Sequence, residues 1–150
     1  MEYPAFVRVY RALPESGLDY APHPASRTAR QIAWGLAEEV RAVTEIIETG
    51  ESRWRNAPAP ATAAELTAAF ERHGRRLTEL SERLDDATWA SPGRFLAAGQ
   101  VVFEGPIRDH CFWILFDGVH HRGQLSTYLR PMGGKVPAIY GPSGDEAAKS

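Results

Sequence analysis

Apolar side chains recur with helical spacing in four stretches of the chain and lose that spacing between them. Residues 3–13 carry Phe6, Val7, Val9, Tyr10 and Leu13, which predicts a short first helix. Pro14, Gly17, Pro22 and Pro24 then predict a loop, with His23 solvated within it. Ser26 or Thr28 is placed to cap a second helix running to about Glu48 and stopping before Gly50, with Ile32, Leu36, Val40, Val43 and Ile47 as its apolar stripe. After a connection over 51–60, Thr62 with Glu65 matches a capping box, and Leu66, Phe70, Leu77, Leu80 and Leu84 carry a third helix to about Asp85. His73 falls on its wetter side and is expected at the surface.

Residues 87–105 mix Trp, Ser, Pro and Gly with small and apolar residues, and predict either a loop or a short hairpin. Pro106 suits the first turn of a last helix that continues to about Arg130, where Pro131 and the Gly133-Gly134 pair end it. The tail from Lys135 is expected to pack as an extended strap around Ile139 and Tyr140 before fraying. Four principal helices without a repeat predict an all-α fold, a four-helix bundle with an irregular or hairpin insertion before its last helix.

The patterns also sort the acidic residues of the second helix. At 100° per residue, Glu39 lies about 60° from the centre of the apolar stripe, whereas Glu38 points nearly opposite. Glu38 is therefore expected in solvent. Glu39 must border the core, where a carboxylate is costly unless it is paired or bound to a cation.

Composition narrows the functional classes. The chain has 150 residues, 43% hydrophobic and 24% charged, as one ordinary globular domain would. Its net charge of −2, with Arg and Glu interspersed, argues against nucleic acid as a partner. Neither a signal peptide nor a membrane span is visible, so the expectation is a soluble, cytoplasmic protein. Cys111 is the single cysteine and reads as a buried small hydrophobe.

The chemistry concentrates on the last helix. His110, Ile114, Asp117, His121, Gln124, Leu125 and Tyr128 fall within about 100° of arc, so polar groups occupy a stripe that a bundle normally keeps apolar. Asp117 and His121 are one turn apart on the same face and can share a divalent metal or a hydrogen bond. A third ligand is needed, and Glu39 is the carboxylate best placed on another helix. Two carboxylates and one imidazole suit Zn²⁺, Ni²⁺, Mn²⁺ or Fe²⁺. His120 lies outside the arc, and Arg122 is available to a structural salt bridge or to an acidic group on a substrate or cofactor. Phe112, Phe116, Val119 and Gly123 line the opposite side, so this helix is expected to be buried on two sides, which predicts a homodimer.

The run His-His-Arg-Gly-Gln-Leu-Ser-Thr-Tyr-Leu-Arg at 120–130, followed from Met132 by Met-Gly-Gly-Lys-Val-Pro-Ala-Ile-Tyr-Gly-Pro-Ser-Gly-Asp, closely resembles the C-terminal signature of the DinB family of DinB/YfiT-like metalloenzymes. Arg27-Thr-Ala-Arg-Gln-Ile-Ala-Trp resembles the start of that family's first metal-bearing helix. The resemblance implies an up-down-down-up four-helix bundle, usually dimeric, with a divalent metal on three histidines. It also implies kinship with thiol-dependent S-transferases that use bacillithiol or mycothiol, and with isomerases of thiol conjugates.

This chain departs from that pattern. His121 matches the last histidine, the position one turn earlier is Asp117, and the second-helix histidine falls near Gly35. One reading is a rebuilt Glu39, Asp117 and His121 site in an enzyme that transfers to a low-molecular-weight thiol or hydrolyses a small-molecule substrate. Tyr128 or His110 would then orient the substrate or move a proton. The other is a non-catalytic binding or stress-response module that has lost its metal and holds the same polar groups by hydrogen bonds.

Overall fold

The computed structural model describes residues 2–146. Five helices dominate: α1 (Glu2–Arg11), α2 (Ala29–Thr49), α3 (Ala63–Ser81), the short α4 (Asp86–Ala90) and α5 (Ile107–Leu129). The all-α expectation needs correction, because three strands, β1 (Glu51–Arg53), β2 (Pro92–Ala97) and β3 (Gln100–Pro106), form a small sheet in the order β1-β2-β3. The fold is mostly helical with this sheet attached.

Caps set the helix ends. Thr28 accepts from the Gln31 N–H while the Gln31 side chain accepts from the Thr28 N–H, and Thr62 and Glu65 repeat this reciprocal pair at α3. Gly50 ends α2 in the left-handed region, at φ 79°, with its N–H on the Ile46 carbonyl. Asp85, expected near the end of the third helix, instead caps α4, since α3 stops at Ser81. Pro106 sits at the cap position of α5, one residue before the turn predicted for it.

Residues 87–105 resolve into the end of α4 and a hairpin. Ala97 pairs with Gln100, and both turn residues, Ala98 and Gly99, have positive φ, as a two-residue hairpin of type I′ requires. β1 then joins β2 in parallel, with Glu51 opposite Arg94.

α2 is the central helix, packed against both α3 and α5, whereas α3 and α5 share little direct contact. The core between α1, α2 and α3 holds a group of stacked rings, with Phe70 lying 4.3 Å from Tyr10 and 5.5 Å from Phe6. The Tyr10 hydroxyl donates to the Ala33 carbonyl, so its polar end is satisfied inside the core. Beyond α5, Val136 and Ile139 of the tail pack on this core, and Asp145 and Glu146 accept from the Val136 and Ala138 N–H groups. The strap is therefore present, while the fraying expected at its end concerns 147–150, outside the described residues.

Two burial expectations, those for Glu38 and His73, are overturned. Glu38 is 3% exposed, not solvated, because β1 folds back over the side of α2 that a wheel leaves open. Arg41 donates to Glu38, to Glu45 and to the Arg53 carbonyl, tying helix to strand. His73 is half-buried and faces the same group; burial first, then Arg72, hold its imidazole below the usual range. The outer side of α5, expected to be covered by the chain itself or by a second copy, is not covered within the chain, where Phe112 and Phe116 are 58% and 71% exposed. Among the described residues no helix is long and apolar enough to cross a membrane.

The hairpin is seated closely on both long helices. A Cβ on Gly93 would lie 2.6 Å from the Ile46 Cγ2 and 3.4 Å from the His110 ring. Gly93→Ala should therefore destabilise the protein by about 1–3 kcal/mol, because a β-branched neighbour on a helix has no other rotamer to yield with. A urea midpoint equal to that of the unsubstituted chain would contradict this packing.

Candidate metal centre

The candidate site forms where α5 comes close to α2. Beside it, Gly118 lets the Phe6 ring of α1 close against α5, since a Cβ there would lie 3.1 Å from that ring, while Leu36 of α2 is in ordinary contact at 3.9 Å. On either side of the contact, Asp117 and His121 of α5 face Glu39 of α2, and one ligand atom from each of the three lies within 4.8 Å of the others. No other group of three or more such side chains is close enough to hold a metal ion among the described residues.

Glu39 is the unusual member. It is 7% exposed, and its Oε2 is the one buried side-chain nitrogen or oxygen, among the described residues, without a hydrogen-bond partner. Burial, then the nearby Asp117 carboxylate, push its carboxyl up to about 8, against a smaller opposing pull from Arg27. The carboxyl thus holds a proton near neutrality, or needs a cation in its place.

His121 is prepared on its far side. Its Nδ1 is 3.0 Å from the Gln124 Oε1, an acceptor, so Nδ1 carries the proton and the Nε2 lone pair is left facing Asp117. The Nε2 to Asp117 Oδ2 distance is 3.7 Å, beyond hydrogen-bond length. An outer hydrogen bond that fixes the tautomer of a ligating imidazole is the usual arrangement around a metal. Gln124 belongs to the polar arc of α5, yet sequence reasoning did not name it as a functional residue. Its position one turn after His121 was the available signal.

Gly35, where the DinB pattern places a histidine, has no side chain to offer. Among the described residues, the group from outside its own helix that comes near its would-be Cβ is the Arg27 guanidinium, with Nη1 at 4.0 Å. Arg27 is exposed, so it brings a positive charge to the solvent side of Glu39. Arg27, too, had no assigned role in the sequence.

The other candidates lie apart from these three. His110 is 2% exposed, and its Nε2–H donates to the Gly93 carbonyl at 2.9 Å while its ring stands edge-on to Phe103. Two helical turns, on the order of 10 Å of axis, separate it from Asp117. Tyr128 is 3% exposed and donates to the Arg27 carbonyl at 3.2 Å. Arg122 is 3% exposed, with its guanidinium shared between Glu2 and the Tyr140 hydroxyl and placed against the Phe6 and Tyr140 rings. His120 is exposed beside His121, and His23 accepts from the Ala25 N–H within its own loop. Cys111 is half-buried, and burial pushes its thiol up to about 11, so it stays protonated at neutral pH.

The Glu39 carboxyl predicts a pH dependence in chelator-treated protein. Its proton is held up to about 8 in the folded state, against an ordinary value of 4.5. Between those values the folded state binds more protons than the unfolded chain, so the contribution is complete below the ordinary value and is lost as pH rises through about 8. Urea midpoints should fall between pH 5 and pH 8.5, and Glu39→Gln should flatten that fall. Parallel pH profiles for the two proteins would show that Glu39 does not titrate in this way.

The chain's relatives agree with this fold. Its backbone superimposes on a DinB-like protein of Bacillus cereus ATCC 10987 with a TM-score of 0.76 at 18% identity, covering 93% of this chain and 91% of that one. A DinB-like protein of Bacillus subtilis gives a TM-score of 0.69 at 13% identity, with 94% and 93% covered. A sequence comparison with curated proteins finds no significant match. The sequence model of the DinB family matches residues 5–149, nearly the whole chain, and this protein belongs to the DinB family.

Proposed function

We propose that this chain is a metal-dependent enzyme acting on a small-molecule substrate, built on the up-down-down-up bundle of its family, with Glu39, Asp117 and His121 holding one divalent cation. The observation that carries this reading is the buried, unpartnered Glu39 Oε2 beside a second carboxylate and an imidazole. An acid so placed is costly unless a proton or cation neutralises it. The rival reading, a metal-free module held by hydrogen bonds among the same residues, has less support. That reading pairs a protonated Glu39 carboxyl with Asp117, but it leaves His121 Nε2 3.7 Å from Asp117, beyond hydrogen-bond length.

The donor set of two carboxylates and one imidazole suits Zn²⁺, Ni²⁺, Mn²⁺ or Fe²⁺. When bound, such a cation supplies Lewis acidity that lowers the pKa of a coordinated thiol or water. The chain's residues provide the rest. Gln124 keeps the His121 Nε2 lone pair turned toward the carboxylates, and Arg27 offers its guanidinium to an anionic group on the substrate or on a low-molecular-weight thiol. Tyr128 acts as a positioning residue by holding the Arg27 backbone, and His110 by seating the hairpin. Arg122 anchors α5. Cys111, protonated as described, leaves the nucleophile to come from outside the chain, which favours thiol-dependent S-transfer, with hydrolysis as the related use of water.

Elemental analysis of untagged protein and calorimetric titration with Zn²⁺, Mn²⁺ and Ni²⁺ test the metal. One ion per chain is expected, with binding lost in His121→Ala and in Glu39→Ala. Gln124→Leu should weaken the affinity by about 10- to 100-fold, as loss of an outer hydrogen bond to a ligating histidine does. Absence of metal from the purified protein, together with no shift in its unfolding temperature on adding any of the three, would refute the enzyme reading.

We also propose that two copies associate through the outer face of α5. Phe112, Trp113 and Phe116 are more than half exposed there, with Val102 of β3 58% exposed, and the stacked rings of Phe103 and Trp113 join the strand to the helix. Sedimentation equilibrium at micromolar concentration should give a dimer, and Phe116→Glu should give a monomer. A monomeric unsubstituted chain would remove the homodimer.

A further inference from the structure

The divergence of α3 from α5 leaves a cavity of about 290 Å³ between them, on the side of α2 that carries Glu39. Val43 of α2, Phe70 and Leu77 of α3, Trp89 of α4 and Ile114 of α5 are among the residues that line it. It reaches solvent between α3 and α5, where exposed Leu115 and Ser81 belong to its wall. Three features separate it from a packing defect.

The first is size. An engineered apolar cavity of roughly 150 Å³ is enough to hold benzene. Space of the present volume accommodates a two-ring system or an aliphatic group of similar bulk.

The second is lining. The wall is overwhelmingly apolar, as small-molecule sites are, with few polar groups to orient a ligand. The third is position. Glu39 is 7% exposed and carries the unpartnered buried oxygen, and it is the only residue common to the cavity wall and to the triad with Asp117 and His121. A molecule whose apolar part fills the cavity therefore has its far end at the Glu39 carboxyl, next to the other two ligands.

We propose that this cavity is the substrate-binding arm of the Glu39, Asp117 and His121 centre, and that its ligand is a small molecule with an apolar body of one or two rings or equivalent aliphatic bulk, ending in one polar reactive group. The inference rests on the metal-centre reading for its link to the triad, but the cavity itself can be tested without metal. It assigns the substrate two halves: an apolar half selected by α2, α3 and α5, and a polar half delivered to Glu39.

The test uses 1-naphthol as the probe. Calorimetric titration of the chelator-treated full chain should show one saturable site per chain. Val43→Phe and Leu77→Phe each place a ring in the cavity, and each should weaken 1-naphthol binding by at least about tenfold, or 1.4 kcal/mol. Leu77 is only half-buried, so its variant remains informative if Val43→Phe fails to fold. Leu77 lies on α3, apart from the triad, so Zn²⁺ affinity should be unchanged in Leu77→Phe. Because Glu39 is shared, Zn²⁺ and 1-naphthol should alter each other's affinity reciprocally, by about fivefold or more.

Absence of saturable 1-naphthol binding, or binding that neither variant weakens, overturns the cavity as a ligand site. Binding in the cavity that is independent of bound Zn²⁺ overturns its role as the substrate arm. Cavity-specific binding in a chain that takes up no Zn²⁺ supports the ligand site and overturns the metal-centre reading instead. If 1-naphthol binds only by dissociating a dimer, the occupant is a side chain of a second copy, and the proposal is overturned.

Discussion

The packing of α5 on α2, with Phe6 of α1 seated against Gly118, is the contact on which the rest of the molecule turns. It brings a buried acidic residue of one helix to within a few ångströms of a partly exposed acid and imidazole on the other. Attraction between these groups does not explain the contact, since two of the three are carboxyls. It is secured by apolar packing of Phe6 and Leu36 against the helix where a side chain is missing, and the polar groups are carried in with it. Apolar packing thus works against the electrostatics of the triad, a tension that a proton on Glu39 or a cation would relieve.

The helical part of the fold was legible because its signals are local. Capping boxes at Thr28 and Thr62, the stop at Gly50 and the apolar stripe of α2 all act within a few residues of where they are read. The sheet was legible only in part, as one of two readings for the hairpin, and β1 was missed. Glu51-Ser-Arg has no alternation of apolar and polar residues, and its strand exists because Gly50 turns the chain back along a hairpin more than forty residues away in sequence. Ala98-Gly99 is a weaker hairpin signal than an Asn-Gly pair, since a non-glycine residue must adopt positive φ. Missing the strand led directly to the wrong environment for Glu38, because a helical wheel shows which residues face away from the stripe but not what covers them.

At the site, geometry on a wheel was enough to bring Glu39, Asp117 and His121 together, since all three border the seam between two helices whose phases are set by their apolar residues. The same wheel gave His110 and Tyr128 an equal claim, because angle alone ignores distance along the axis and the reach of the side chain. Their partners turned out to be the Gly93 and Arg27 carbonyls. Arg27 escaped notice for the converse reason. It precedes the helix, so it has no place on a wheel, yet its side chain lies over the space that Gly35 leaves.

Arg122 has a consequence for chain topology. Its guanidinium gathers Glu2 and Tyr140, and the Tyr140 hydroxyl donates directly to the Glu2 carboxylate at 2.8 Å, across 138 residues of sequence. The polypeptide between them is in effect a ring closed without a covalent bond. Ring closure costs entropy that grows only slowly with length, so one desolvated clamp can close a very long loop at little more expense than a short one. The clasp of that ring sits one residue from His121, and opening it would loosen the helix turn that presents the imidazole.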